Sequence, residues 1–144
     1  MTFEPLPDRD AICEVKARYC RLLDTKQWDA WGDLFTEDFV LDISEDGGPP
    51  AIAGRAVVVA MVRQSIETTR TAHHVHSPEI LVTGDRARAI WAMQDRLVFD
   101  DGHGMTGYGH YTETYVKRGG EWKIATSKLS RLFIEATLVQ QAGP

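Results

Sequence analysis

The chain has 144 residues, of which 43% are hydrophobic, and its formal net charge is −5. These values are typical of one globular domain, expected over residues 1–144 with its core at about 8–135. The acidic balance offers no basic surface for nucleic acid, and no apolar run approaches the roughly 20 residues of a membrane helix. Cys13 and Cys20 are too far apart along one helix for a disulfide, and no signal peptide is visible, so we expect a cytoplasmic protein.

The first helix is predicted from apolar residues that recur at helical spacing over 12–23, after a possible N-cap at Asp8 or Asp10. The pattern places Tyr19 on or beside the buried face and Asp24 near the end of the helix. Charged residues of this helix fall on its other faces: Asp10, Glu14, Lys16, Arg18 and Arg21.

Shorter elements follow. We expect a second helix over 28–35, a short strand over 39–43 and a brief extended segment at 52–54. Residues 44–50 read SEDGGPP, a loop by composition and a candidate lid. A third helix is predicted over 55–68, with an inner face of Val58, Met61, Val62, Ser65 and Ile66.

The stretch 72–99 predicts a β-hairpin that turns at Gly84-Asp85. Alternation in its second strand places Asp95 on the apolar face. A lone carboxylate in a core is costly without a partner, and the first strand offers His73. Because a His–Asp pair in an apolar wall can act as an oriented general base, His73 and Asp95 are the candidate catalytic pair.

His73 has three interpretations: the general base, a core histidine bonded to a backbone carbonyl, or a metal ligand. Strict alternation puts His74 and His76 on the opposite face, which leaves no three-histidine cluster, so we expect no metal. Asp95 also has a second interpretation, as half of a structural ion pair with Arg131.

The end of the chain predicts a Gly-rich turn at 100–107, strands over 108–117 and 121–135, and a tail over 136–144. Helices followed by long antiparallel strands indicate an α+β fold, in which a curved, mostly antiparallel sheet wraps around the N-terminal helices. Such a cone, open at one end, would hold a small apolar ligand.

Several residues are candidates for the wall of this cavity. Arg131 and Ile124 can both face the core only if a β-bulge lies between them, and we expect one near Ser127. His110 and Tyr111 lie on opposite faces of their strand, so one of them should reach the cavity. The expected core and substrate-binding wall includes Trp91, Met93 and Phe133.

Four motifs occur in order along the chain. A tyrosine is followed five residues later by an aspartate and then by a tryptophan in YCRLLDTKQW at 19–28. HHVHSPEI at 73–80, WAMQDRL at 91–97 and Arg131 after a Gly-x-Trp turn complete the set. Together they resemble the SnoaL-like branch of the nuclear-transport-factor-2-like superfamily, which includes scytalone dehydratase, ketosteroid isomerase and, with the most similar motifs, bile acid 7α-dehydratase.

The resemblance implies a cystatin-like topology and an active site of Tyr19, Asp24, His73, Asp95 and Arg131. It implies a lyase without cofactor that dehydrates a hydroxylated ring ketone of steroid or polyketide type. His73 with Asp95 would be the base, and Tyr19, positioned by Asp24, would donate a hydrogen bond to substrate. Arg131 would balance the charge of the site or anchor a substrate oxygen.

Two alternatives remain open. The same proton abstraction would serve a ketosteroid-type isomerase or a polyketide cyclase, and the scaffold also supports non-catalytic ligand-binding or assembly domains. A Gly-x-Gly-x-x-Gly spacing occurs at 102–107, but it lies between two predicted strands and opens no helix, which makes an oxidoreductase the less favoured class. The resemblance also implies a homodimer or homotrimer that pairs through the outer sheet face, on or near Arg88, Gln94 and Arg96.

Overall fold

The computed structural model describes residues 6–138, so parts of the predicted arm and tail lie outside it. It contains three α-helices, a single 3₁₀ turn at Ser44–Asp46, and six β-strands. The helices are α1 (Asp8–Asp24), α2 (Trp28–Gly32) and α3 (Arg55–Ile66). The strands are β1 (Phe35–Asp42), β2 (Ile52–Ala53), β3 (Arg70–Thr83), β4 (Arg86–Val98), β5 (Gly104–Arg118) and β6 (Glu121–Thr137).

The strands form one curved sheet that does not close, in the order β2-β1-β6-β5-β4-β3. All neighbours are antiparallel except β1 and β6, which run parallel. Helix α1 packs on the inner face, mainly against β3. The predicted α+β architecture with a mostly antiparallel sheet around N-terminal helices is therefore confirmed.

Several boundaries differ from the sequence-based prediction. Helix α2 ends at Gly32, and Phe35, expected in that helix, begins strand β1. Asp8 and Asp10 lie in the first turn of α1, whose N-cap is Pro7, so neither caps it. Ser65, expected on the inner face of α3, is exposed. None of the helices within residues 6–138 is long and apolar enough to cross a bilayer.

The predicted glycine turn at 100–107 is also partly wrong, because β5 already begins at Gly104. Gly107 pairs with Asp95 on the neighbouring strand. A Cβ added at Gly107 would lie 1.9 Å from Nη1 of Arg131 and 2.5 Å from Oδ1 of Asp95. Glycine is therefore required here to leave room for the arginine head group, and not to form a turn.

Helix α1 buries one charged side chain that its pattern placed elsewhere. Lys16 is 0% exposed, and its Nζ donates to Oε1 of Glu113 at 2.6 Å. The ammonium lies 3.8 Å from the ring centroids of both Tyr19 and Tyr111. Ser127 Oγ donates to the same Glu113 oxygen at 2.8 Å, so the buried charges are paired and hydrogen-bonded.

Candidate active site

The C-terminal end of α1 and the first residues of β3 form the candidate base. Asp24, the last residue of α1, reaches across to β3, where Nδ1 of His73 donates to its Oδ1 at 2.6 Å. The backbone N–H of His73 donates to Oδ2 at 2.7 Å, and the Thr71 hydroxyl donates to Oδ1 at 2.9 Å. One carboxylate therefore fixes both the ring and the backbone of His73.

These contacts also set the charge of Asp24. Burial alone would raise its pKa, but hydrogen bonds from the His73 ring and backbone and from Thr71 hold the pKa below the ordinary 3.8. Asp24 is ionised at neutral pH, so it acts as acceptor and Nδ1 of His73 carries the proton. In the neutral form of the ring, the other nitrogen, Nε2, therefore has a free lone pair.

Asp95 approaches Nε2 from the opposite side. Its Oδ2 lies 3.9 Å from that nitrogen, too far for a hydrogen bond. The Asp95 oxygens instead accept two bonds from Arg131, Nη1 to Oδ1 at 2.8 Å and Nη2 to Oδ2 at 2.9 Å. The prediction that Asp95 holds the imidazole is therefore wrong: Asp24 holds it, and Asp95 forms the ion pair with Arg131 that was the second interpretation.

A third carboxylate reaches Arg131 from the 3₁₀ turn. Oδ2 of Asp46 lies 2.7 Å from Nε of Arg131, as an ion pair without the alignment of a hydrogen bond. Burial opposes the charge of Arg131, but Asp95 and Asp46 keep its pKa above the ordinary value. Arg131 thus already pairs with two carboxylates of the protein, which favours charge balance over anchoring a substrate oxygen.

Tyr19 lies on the same helix as Asp24, but within residues 6–138 no hydrogen bond joins them. Its ring packs against Trp31 at 5.5 Å, Phe35 at 6.0 Å and Tyr111 at 5.9 Å between centroids. Burial, reinforced by the charge of Glu113, raises the pKa of Tyr19 well above its ordinary value. The phenol therefore stays protonated, and it is positioned by aromatic packing instead of by Asp24 as predicted.

Cross-strand pairing separates the predicted wall residues into two groups. Trp91, Met93 and Tyr111 are each 3% exposed on the inner face. His110 alternates with Tyr111, so it lies on the outer face. This resolves which of the two faces the interior: Tyr111 does, and the assignment of His110 to the substrate wall is wrong.

Two bulges in β6 decide the remaining positions. The first falls at Ala125, close to the expected Ser127, and lets Ile124 and Arg131 both face inward. The second falls at Leu132 and turns Phe133 to the outer face, where it stacks on Tyr108 at 4.7 Å and is 53% exposed. Phe133 is therefore not a wall of the interior site, contrary to the prediction.

The site includes residues that the sequence did not single out. Asp46 lies in the loop taken as a candidate lid, and its acidic side chain was the only available signal. Thr71 shares the inner face with His73 two residues later, which the alternation of β3 could have revealed. Lys26 donates from Nζ to Thr71 Oγ1 at 2.9 Å, a contact that depends on the turn after α1.

Several surface clefts lie away from these residues. One of about 370 Å³ lies between α1 and the β5–β6 hairpin, lined among others by Asp8, Arg18 and Trp122. No group of three His, Cys, Asp or Glu side chains in residues 6–138 is placed to hold a metal ion. The side chains that meet at the site are the hydrogen-bonded pair of Asp24 and His73 and, beside it, the ion pair of Asp95 and Arg131.

Comparison with known proteins identifies the family. The profile of the SnoaL-like domain matches residues 4–128. A Gibberella zeae protein provisionally named cyclase FGR4 is 27% identical over 140 aligned positions, in an alignment that covers 88% of this chain and 93% of that protein. Family and relative together support an enzyme that converts a small molecule.

Solved structures agree on the fold. A Novosphingobium aromaticivorans protein, provisionally named an aromatic ring hydroxylase, superposes with a TM-score of 0.84 and 26% identity over 94% of this chain and 96% of its own. A scytalone dehydratase-like protein of the same species gives a TM-score of 0.81 and 23% identity over 95% and 92%. The chain belongs to the SnoaL-like domain family and has the cystatin-like fold of the nuclear-transport-factor-2-like proteins.

Proposed function

We propose that the protein is a lyase that removes water from a hydroxylated ring ketone without a cofactor. The observation that carries this proposal is the geometry of His73, whose Nδ1 is held by Asp24 at 2.6 Å while Nε2 has no hydrogen-bond partner within residues 6–138. An imidazole fixed in one tautomer by a carboxylate is the arrangement of an oriented general base.

The first step is proton abstraction. Nε2 of His73 takes a proton from the carbon next to the substrate carbonyl, and the electron pair of that C–H bond forms an enolate. The imidazolium that results is stabilised by ionised Asp24 and by Asp95 at 3.9 Å. Both carboxylates carry charge before the reaction, so they need not reorganise when the positive charge appears.

The second step expels the hydroxyl group. The enolate collapses to a carbon–carbon double bond, the carbon–oxygen bond on the next carbon breaks, and the imidazolium returns its proton to the departing oxygen. Water leaves and His73 is neutral again. Tyr19, kept protonated by burial, donates a hydrogen bond to the carbonyl or the departing oxygen.

Arg131 keeps Asp95 charged and in place. A single guanidinium serves Asp95 and Asp46, and the Lys26 ammonium lies behind Asp24 across Thr71. Three carboxylates thus face two cations, so the site carries negative charge while His73 is neutral. This balance disfavours anionic groups near the imidazole. Together with the apolar neighbours Trp91 and Met93, it favours a neutral, largely apolar substrate.

The first alternative is an isomerase or a cyclase that uses the same base. The name of the Gibberella zeae relative favours the cyclase among these. Proton abstraction is common to all three reactions, but only elimination must lose water. The second alternative, a ligand-binding or assembly domain, needs no turnover at all.

Mass spectrometry of product distinguishes these functions. The protein is incubated with fused-ring, steroid and polyketide hydroxy-ketones, in parallel with His73→Gln. A product lighter by one water, formed by the wild type and not by the variant, supports the dehydratase. A rearranged product of unchanged mass supports the isomerase or cyclase, and tight binding without any product supports the binding domain.

A further inference from the structure

Helix α1 ends in a turn whose left-handed residue is a lysine. The N–H of Lys26 donates to the carbonyl of Leu23 at 3.1 Å, and the N–H of Gln27 donates to that of Leu22 at 2.9 Å. This pair of bonds is a Schellman motif, in which glycine is the usual residue at the left-handed position. Lys26 has φ of 59° there, in a region that a Cβ disfavours. The backbone of this turn therefore gives no reason for a lysine.

The Lys26 side chain turns back toward the candidate base. Its Nζ donates to Thr71 Oγ1 at 2.9 Å, and the Thr71 hydroxyl donates to Asp24 Oδ1 at 2.9 Å. The same Asp24 oxygen accepts from Nδ1 of His73 at 2.6 Å. Because the ammonium donates to the Thr71 oxygen, the single Thr71 proton is directed at Asp24. A continuous chain of hydrogen bonds thus runs from Lys26 to the imidazole.

Charges around His73 are arranged in two similar pairs. On the Nδ1 side stands Asp24, with the Lys26 ammonium behind it across Thr71. On the Nε2 side stands Asp95, with Arg131 behind it. Lys26 is partly buried and close to Asp24. Burial lowers the pKa of Lys26, and the charge of Asp24 opposes that effect.

We propose that Lys26 is a positioning residue for the reaction at His73, acting through Thr71 to keep Asp24 oriented toward the imidazole. The inference rests on the proposed function, in which His73 is the base. It accounts for a lysine where glycine would relieve the backbone: the side chain serves the site at a cost to local stability.

Lys26→Gly separates the role of the side chain from that of the turn. The variant should unfold at the wild-type temperature or above, because glycine adopts positive φ freely. Its kcat should fall about tenfold with KM little changed, the scale of one hydrogen bond to a charged group. Lys26→Met, which keeps the stem and the backbone strain, should lose as much kcat, and Lys26→Arg should recover part of it.

A double-variant test locates the pathway of this effect. Thr71→Val removes the intermediate hydroxyl while keeping the shape of the side chain. If Lys26 acts through Thr71, the combined Lys26→Gly/Thr71→Val variant should lose no more kcat than Thr71→Val alone. Losses that multiply would show that the lysine acts elsewhere and would overturn the proposed chain.

A substrate-free readout distinguishes failure of this inference from failure of the proposed function. In a ¹³C NMR titration, the pKa of the Asp24 carboxyl should be higher in Lys26→Gly than in wild type, because a nearby cation favours the ionised form. If the pKa of Asp24 shifts but the protein turns over no substrate, the link between Lys26 and Asp24 is supported and the proposed lyase function is rejected. An unchanged titration, a kcat within about twofold of wild type, or a loss of kcat that matches a fall in melting temperature would overturn the inference.

Discussion

Asp24 Oδ1 lies 2.6 Å from Nδ1 of His73, and the backbone N–H of the same histidine donates to Asp24 Oδ2 at 2.7 Å. A residue that ends helix α1 therefore determines the tautomer of a residue near the start of β3. Asp95, the cross-strand neighbour of His73, is turned toward Arg131 instead. The two carboxylates consequently have different functions, and mutations at the two positions should have different effects.

Replacement of Asp24 by asparagine should disable the base without unfolding the protein. The amide cannot stabilise the imidazolium and can select the wrong ring tautomer, so kcat should fall on the order of 10²-fold or more. Circular dichroism should show a native fold.

A matched control lies on the surface, where Asp101 Oδ2 accepts from Nδ1 of His103 at 2.7 Å in an exposed turn. Asp101→Asn breaks the same type of pair and should leave kcat unchanged. An Asp24→Asn enzyme as active as this control would contradict the assigned function of Asp24.

Asp95→Asn should mainly cost stability. The change weakens a bidentate pair whose side chains are 9% and 3% exposed, and stranding one buried partner typically costs about 3–5 kcal/mol. Since Asp46 still contacts Arg131, the lower end of that range is expected. Urea denaturation measures the change.

Activity per folded Asp95→Asn molecule should fall less than in Asp24→Asn, because Asp95 does not contact the imidazole through a hydrogen bond. A variant with wild-type stability and no activity would reverse the two assignments. It would make Asp95 the residue that supports the base.

The hairpin of β3 and β4 shows what local pattern can predict. Alternation in β4 placed Asp95 inward, and the structure pairs it directly with His73 across the hairpin. The bulge in β3 falls between His76 and Glu79, beyond the histidines, so the predicted parity of His73 was preserved. Pairing of backbones did not, however, predict which side chains would bond, because Asp24 and Arg131 come from distant segments.

The errors have the same physical origin. Lys16 looked like a surface residue of α1, since its partner Glu113 lies 97 positions away in sequence. Strict alternation predicts Phe133 on the same face as Arg131. A bulge at Leu132 turns Phe133 to the outer face, and no turn-forming residue marks that bulge in the sequence. Tertiary charge pairs and irregular strand register are both invisible to helical or strand periodicity.

The buried pair of Lys16 and Glu113 gives a stability prediction. Lys16→Met leaves Glu113 charged and without its cation in the core, which should lower the free energy of unfolding by about 3–5 kcal/mol. Adding Glu113→Gln removes that charge while keeping one side-chain oxygen as an acceptor for Ser127, so the double variant should recover most of the loss. Equal urea midpoints for single and double variants would contradict a dominant cost of unpaired charge.

Stability should also depend on pH through Asp24. Its pKa in the folded protein is below the ordinary 3.8, so ionised Asp24 favours the folded state above that pH. This contribution is lost as pH falls through the pKa of Asp24 in the folded protein, because below that pH Asp24 is protonated in both the folded and the unfolded state. The difference in urea midpoint between wild type and Asp24→Asn should therefore shrink below about pH 4. A difference that stays constant down to pH 2 would contradict this linkage.

We propose that the outer face of the sheet joins copies of the chain into a dimer or trimer. Leu81, Ile90 and Phe133 lie on this face and are 58%, 38% and 53% exposed. Polar residues expected on or near the interface share the face: Arg88, Gln94 and Arg96. Light scattering should give two or three times the monomer mass of 16.1 kDa.

Ile90→Glu should shift that assembly toward the monomer, because it places a charge in the apolar part of the face. Glu79→Gln, at the position paired with Ile90, is a control that adds no charge. A wild-type mass near 16.1 kDa at micromolar concentration would reject the oligomer.

Hydrogen–deuterium exchange at the substrate carbon tests the proposed base most directly. A ring ketone that lacks the departing hydroxyl is incubated in D₂O with wild type, His73→Gln and Asp101→Asn, and deuterium next to the carbonyl is followed by mass spectrometry. Wild type and Asp101→Asn should both exchange this position, and His73→Gln should slow the exchange on the order of 10²-fold or more. Exchange by His73→Gln at the wild-type rate would show that another group removes the proton, and would contradict the assignment of His73 as the base.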